Sequence, residues 1–221
     1  IASRRIERGG YVRLEAGTAS HTGRIRTSNQ DSVGLVDGLY VVADGMGGHR
    51  GGEVASAEAV AAMLAVFDRR DRAGLVAAVR SANRTILEKT VTRPDLSGMG
   101  TTLCALAVVS SASGDEVLAV ANIGDSRVYR FAAGELVQVS DDHSLVADLM
   151  RAGELSAEEA AQHPQRNILT RALGIEADPV IDSWELEPVL GDRYLLCSDG
   201  LVNELDDGRL AEVLAAVRTL G

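Results

Sequence analysis

Apolar residues fall along this chain in short runs: SVGLV (32–36), LYVVA (39–43), LCALAVV (103–109), VLAVA (117–121), RVYRF (127–131), LVQV (136–139) and YLLC (194–197). Runs of this length, rich in Val, Leu and Tyr and bounded by turn residues, read as strands. Several are joined by brief turn signals, among them Asp37-Gly38, Ser113-Gly114-Asp115 and Ala133-Gly134. Links so short suit antiparallel hairpins, since a parallel crossover needs a dozen or more residues.

A second periodicity predicts helices. Val60, Met63, Leu64 and Phe67 recur at i, i+3, i+4 and i+7, and Leu75, Val79, Ala82 and Ile86 form a similar stripe. Leu210, Val213, Leu214 and Val217 mark a third, C-terminal helix. Two shorter helical patches, SLVADLMRAG and SAEEAAQ, follow His143; the second has Ser156 and Glu159 at capping-box spacing. Strands cluster rather than alternate with helices. The expected fold class is therefore α+β, with antiparallel sheets covered by helices.

Composition narrows the function. The chain has 221 residues, 46% of them hydrophobic, enough for one sizeable core. With aromatics at 3%, that core has to be built from Val, Leu, Ile and Ala. A net charge of −10 argues against a nucleic-acid groove and hence against a metal-dependent nuclease. No run approaches the roughly 18 apolar residues of a membrane span. Cys104 and Cys197 lie inside apolar runs without CxxC spacing and read as buried thiols of a reducing compartment, so a cytoplasmic location is expected. Residues 1–14, rich in Arg and Glu, are expected to be a poorly packed lead-in to a domain over 15–221.

The candidate chemistry lies where apolar runs end. LYVVA runs into Asp44-Gly45, VLAVANI into Gly124-Asp125, and YLLCS into Asp199-Gly200, while Asp31 precedes SVGLV. A single Asp-Gly after a strand is ordinarily a turn. Repetition suggests convergence. Like charges about 4 Å apart repel by roughly 4 kcal/mol at an effective dielectric of 20, so a carboxylate cluster stays ionised only if cations neutralise it. Hard oxygen ligands point to Mg2+ or Mn2+ rather than zinc or copper. The glycines after Asp44 would let backbone approach a ligand, and the Gly45 carbonyl could coordinate a metal.

The stretches GRIRTSNQDSV (23–33), VVADGMGGHRGGEVAS (41–56), GMGTTL (98–103), ANIGDSRVYRF (121–131), DDHSLV (141–146), RNILTRALG (166–174) and LLCSDGLVNEL (195–205), in this order and spacing, resemble the type 2C metal-dependent Ser/Thr protein phosphatases in their bacterial form. The resemblance implies two central antiparallel sheets flanked by helices, with metals between them. It implies hydrolysis of phosphoserine and phosphothreonine by a hydroxide bridging two Mn2+ or Mg2+ ions. Asp44 matches the carboxylate that bridges the ions, the Gly45 carbonyl a ligand of one, and Asp199 a ligand of the other. Asp31, with Gln30 before it, matches residues that hold metal-bound waters. Asp125 matches a ligand of a weaker third ion, Arg26 the arginine that grips the substrate phosphate, and Thr102 a residue behind the ligands. The implied partners are phosphorylated proteins made by a Ser/Thr kinase, with the chain acting as a monomer.

Two departures from the pattern stand out. Met46 occupies a position where some members carry a proton-donating His. No Asp-Asn pair follows residue 205, so the C-terminal segment with the last metal carboxylate is expected to be missing, and a non-catalytic binding module is the alternative to an enzyme.

Overall fold

The structure, a computed structural model, describes residues 2–6, 12–24, 27–68 and 70–216, with backbone alone for 2–6 and 48–50. It opens with two strands that the apolar pattern does not predict, β1 (Ala2–Ile6) and β2 (Val12–Ala16), paired antiparallel. Charged residues interrupt both, so neither shows an apolar run; their strand state comes from pairing. The expected division after residue 14 falls inside β2.

The predicted hairpin follows. β3 (Asp31–Val36) and β4 (Leu39–Met46) turn at Asp37-Gly38, and their register sets Asp31 opposite Asp44. Helices α1 (Gly48–Val66) and α2 (Arg72–Thr92) carry the two predicted stripes, with Asp71 capping α2 by accepting from the Gly74 N–H at 2.6 Å. Next come the short β5 (Gly100–Thr101) and the long pair β6 (Leu103–Ser110) and β7 (Glu116–Ile123). β8 (Arg127–Ala132) and β9 (Glu135–Gln138) close on Ala133-Gly134, both at positive φ, as a tight two-residue hairpin turn requires.

The short helices α3 (Leu145–Arg151) and α4 (Ala157–Ala161) match the predicted patches, and the Ser156–Glu159 capping box forms. β10 (Asp182–Leu186) has no counterpart in the sequence reading: DSWEL is an edge strand whose charges mask its alternation. β11 (Arg193–Cys197), α5 (Asp199–Val202) and α6 (Asp207–Ala216) complete the described chain. Leu210 and Leu214 are buried as expected, whereas Val217 lies outside the described residues.

The strands form a five-stranded sheet, β2-β1-β11-β8-β9, and a six-stranded sheet, β10-β7-β6-β4-β3 with β5 on β4. Every pairing is antiparallel. Strand alternation sorts side chains into layers. In β6, Leu103, Ala105, Ala107 and Val109 pack with α1 and α2. The intervening Cys104, Leu106 and Val108 face the second sheet, against Val128 and Tyr194. On the far side, Tyr129, Phe131, Leu195 and Cys197 pack with Leu210 and Leu214 of α6. The architecture is helix–sheet–sheet–helix, as the resemblance implies. Burial of a Leu or Val contributes about 1.5–3 kcal/mol, so aliphatic residues carry most of these layers, but the core is not aliphatic alone: Tyr129, Phe131 and Tyr194 are buried in it.

Candidate active site

The strand ends converge. Asp44, Asp125 and Asp199 line one cavity of about 620 Å³ together with Gln30, Gly45 and Thr102. They come from the end of β4, the turn after β7 and the first residue of α5 behind β11, so both sheets contribute. Asp31 stands beside Asp44 through the β3–β4 register. Its Oδ2 accepts from Ser198 Oγ at 2.8 Å, which ties one sheet to the other. Asp199 Oδ2 accepts from Asn203 Nδ2 at 3.1 Å.

Asp44 is the most firmly held of these residues. Its N–H donates to Thr102 Oγ1 at 3.0 Å. Its C=O accepts from the Thr102 N–H and from Thr101 Oγ1, both at 2.9 Å. Thr102, 2% exposed, shares a further 2.7 Å hydrogen bond with Ser126 Oγ. Thr102 thus grips both backbone polar groups of Asp44.

The glycine run has a packing use as well. Gly48, Gly51 and Gly52 belong to α1. A Cβ on Gly45 would lie 1.9 Å from the Gly52 carbonyl oxygen, and one on Gly52 would lie 2.7 Å from the Gly45 carbonyl. The missing side chains let helix backbone sit directly on strand backbone. The Gly45 N–H donates to the Gln30 C=O at 3.0 Å, which orients this peptide at the cavity.

Electrostatics crowd the cluster with like charge. Burial, then the charges of Asp31, Asp199 and Asp125, push the Asp44 carboxyl up to about 8. Burial and the Asp199 and Asp142 charges push Asp125 up to about 6, with Arg127 opposing. Groups so placed either bind protons or bind cations. The polar lining offers oxygen and amide groups but no His or Cys, which suits a hard divalent ion. Among the described residues no three His, Cys, Asp or Glu side chains form a ready-made ligand cage. Mg2+ tolerates a sparse protein ligand set, since it usually keeps several of its waters.

Of the expected site residues, Asp44, Gly45, Asp125, Asp199, Gln30 and Thr102 share the cavity, with Asp31 adjoining Asp44. Arg26 lies outside the described residues, although Thr27 and Ser28 just beyond it line the cavity. Asn167 and Leu169 also line it, and sequence reasoning did not single them out; membership of RNILTRALG was their only signal. His143 is buried and faces Gly124 rather than the cavity.

The protein phosphatase 2C family profile matches residues 20–219. The chain is 38% identical over 213 residues to the serine/threonine phosphatase stp of Listeria monocytogenes, covering 90% of this chain and 82% of that protein. It is 41% identical over 206 residues to the serine/threonine protein phosphatase PstP of Mycobacterium tuberculosis, covering 91% of this chain and 39% of that longer protein. Among solved structures, the catalytic domain of PstP in complex with two manganese ions superposes with a TM-score of 0.75 at 40% identity, covering 88% of this chain and 81% of that one. Fold, cavity and likeness agree: the chain belongs to the protein phosphatase 2C family.

Proposed function

We propose that this chain removes phosphate from phosphoserine and phosphothreonine in proteins, using a pair of Mn2+ or Mg2+ ions held by Asp44, the Gly45 carbonyl and Asp199. Asp31 and Gln30 hold waters of that centre, and Asp125 takes a weaker third ion. The observation that carries the reading is the convergence of Asp44, Asp125 and Asp199 in one cavity, at the cost of the raised Asp44 and Asp125 carboxyls. Bound there, divalent cations supply Lewis acidity and a water of lowered pKa.

The chain's own residues do the rest. Thr102 holds Asp44 in place through both backbone groups. Ser198 and Asn203 each donate to a carboxylate, Asp31 and Asp199 respectively, and so restrict its rotation. Arg26 would meet the dianionic phosphate with a guanidinium fork, an apt bidentate partner. Met46 lines the cavity, and its thioether offers no proton, so the departing Ser or Thr oxygen takes one from water. The substrates are phosphoproteins made by a Ser/Thr kinase, and the setting we propose is cytoplasmic. Among the described residues no helix is long and apolar enough to cross a membrane.

The test is hydrolysis of an aryl phosphate and of a phosphothreonine peptide. Activity is expected to require Mn2+, to vanish with a chelator, and to fall by orders of magnitude in Asp44→Asn and Asp199→Asn. A folded chain that stays inactive in saturating Mn2+ would leave the non-catalytic module as the better reading.

A further inference from the structure

Gly124 is held more firmly than a turn requires. Its N–H donates to His143 Nδ1 at 3.1 Å. Its C=O accepts from the His143 N–H at 3.0 Å and from Asn122 Nδ2 at 3.3 Å. His143 is 1% exposed and Asn122 is 0% exposed. Gly124 has φ +102°, and a Cβ there would lie 2.6 Å from Thr102, so no other residue fits.

The imidazole is itself fixed. Nδ1 accepts from Gly124, so the ring proton sits on Nε2 and points to Asp182 Oδ2 at 3.0 Å. Arg171 holds the other oxygen of that carboxylate at 3.1 Å. Neither His143 nor Asn122 lines the cavity. Burying polar side chains is costly unless they are paired. His143 spends one ring nitrogen on the residue before Asp125, and Asn122 Nδ2 divides its donation between the Gly124 C=O and the Asp141 C=O at 3.0 Å.

We propose that His143, assisted by Asn122, is a positioning residue for Asp125: it sets the Gly124 peptide so that this carboxylate is held where the weaker third cation binds. The inference rests on the reading of Asp125 as a cation ligand. It goes beyond that reading in naming what places the ligand. Asp44 needs no such device, because the sheet and Thr102 already hold it, whereas Asp125 lies in a turn between strands.

The test is calorimetric titration of Mn2+ into the metal-stripped full chain, with melting curves alongside. His143→Asn keeps an acceptor at the δ position. His143→Gln moves it outward and leaves the Gly124 N–H unpaired. Outer groups that orient a ligand are worth about 10–100-fold in metal affinity, so the weakest Mn2+ event should weaken by at least about tenfold in His143→Gln and by no more than about threefold in His143→Asn. The tighter events should not move in either. A merely structural histidine would lower the melting temperature in both variants and leave the weakest event alone, and that result overturns the proposal. So does equal weakening in both. If His143→Gln does not fold, Asn122→Ser, which removes the other side-chain grip on Gly124, should weaken the same event, and an unchanged event overturns the proposal. Asp125→Asn separates the two readings. If it leaves the weakest event intact, Asp125 is not the ligand. If it abolishes that event while His143→Gln does not weaken it, only the positioning role fails.

Discussion

Replacing Thr102 by Val tests whether Asp44 is held by hydrogen bonds or only by packing. Val has nearly the same shape, so the change removes a hydroxyl and little else. That hydroxyl accepts from the Asp44 N–H at 3.0 Å and shares a 2.7 Å bond with Ser126 Oγ, at a position 2% exposed. An orphaned N–H in such a place costs about 1–3 kcal/mol, and the lost bond to the buried Ser126 hydroxyl adds about 1. The expected total is about 2–4 kcal/mol. At about 2–4 °C per kcal/mol for a chain of this size, melting should fall by roughly 4–16 °C. Thr102→Ser keeps the hydroxyl and loses a methyl group, at about 1 kcal/mol. Thermal melts of the metal-free proteins check the order, and Mn2+-dependent hydrolysis checks the consequence: Thr102→Val should lose more activity than Thr102→Ser. If Thr102→Val melts as high as Thr102→Ser, hydrogen bonding does not hold Asp44 and the account of its positioning is wrong.

Two further outcomes follow from the same geometry. In a chelator, Asp44→Asn should melt above the unsubstituted chain at pH 8, because it removes a crowded charge. The folded-state value of Asp44, about 8, lies above its ordinary one, so its contribution to stability is full below about pH 4 and is lost as pH rises through 8; the variant should flatten this decline, and Mn2+ should restore only the unsubstituted chain. A variant that melts lower than the parent at pH 8 would contradict the charge-crowding argument. Asn83→Ala should cost about 2–4 kcal/mol, since Asn83 is 1% exposed, accepts from the Gly174 N–H at 2.7 Å and donates to the Glu176 C=O at 2.8 Å. Faster amide exchange at Gly174 than at the neighbouring core strands would locate the damage, and unchanged exchange there would refute it.

By itself the sequence determined the layers and the ligand candidates. Apolar runs and helical stripes are local properties, and strand alternation alone sorts Leu103 from Cys104 onto opposite faces of β6. The placement of carboxylates at strand ends was legible too, because a charge closing an apolar run is visible without coordinates. Strands such as β1, β2 and β10 were not legible, since their pairing offsets the cost of charged residues that break the pattern. Only the tertiary structure decided that Gly45 and Gly52 meet each other, that Thr102 grips Asp44, and that His143 reaches Gly124. Each of these joins residues on different elements or turns through close contact. A hydrogen bond or a missing Cβ leaves no periodic trace in a sequence, and its meaning appears only when the two backbones are brought together.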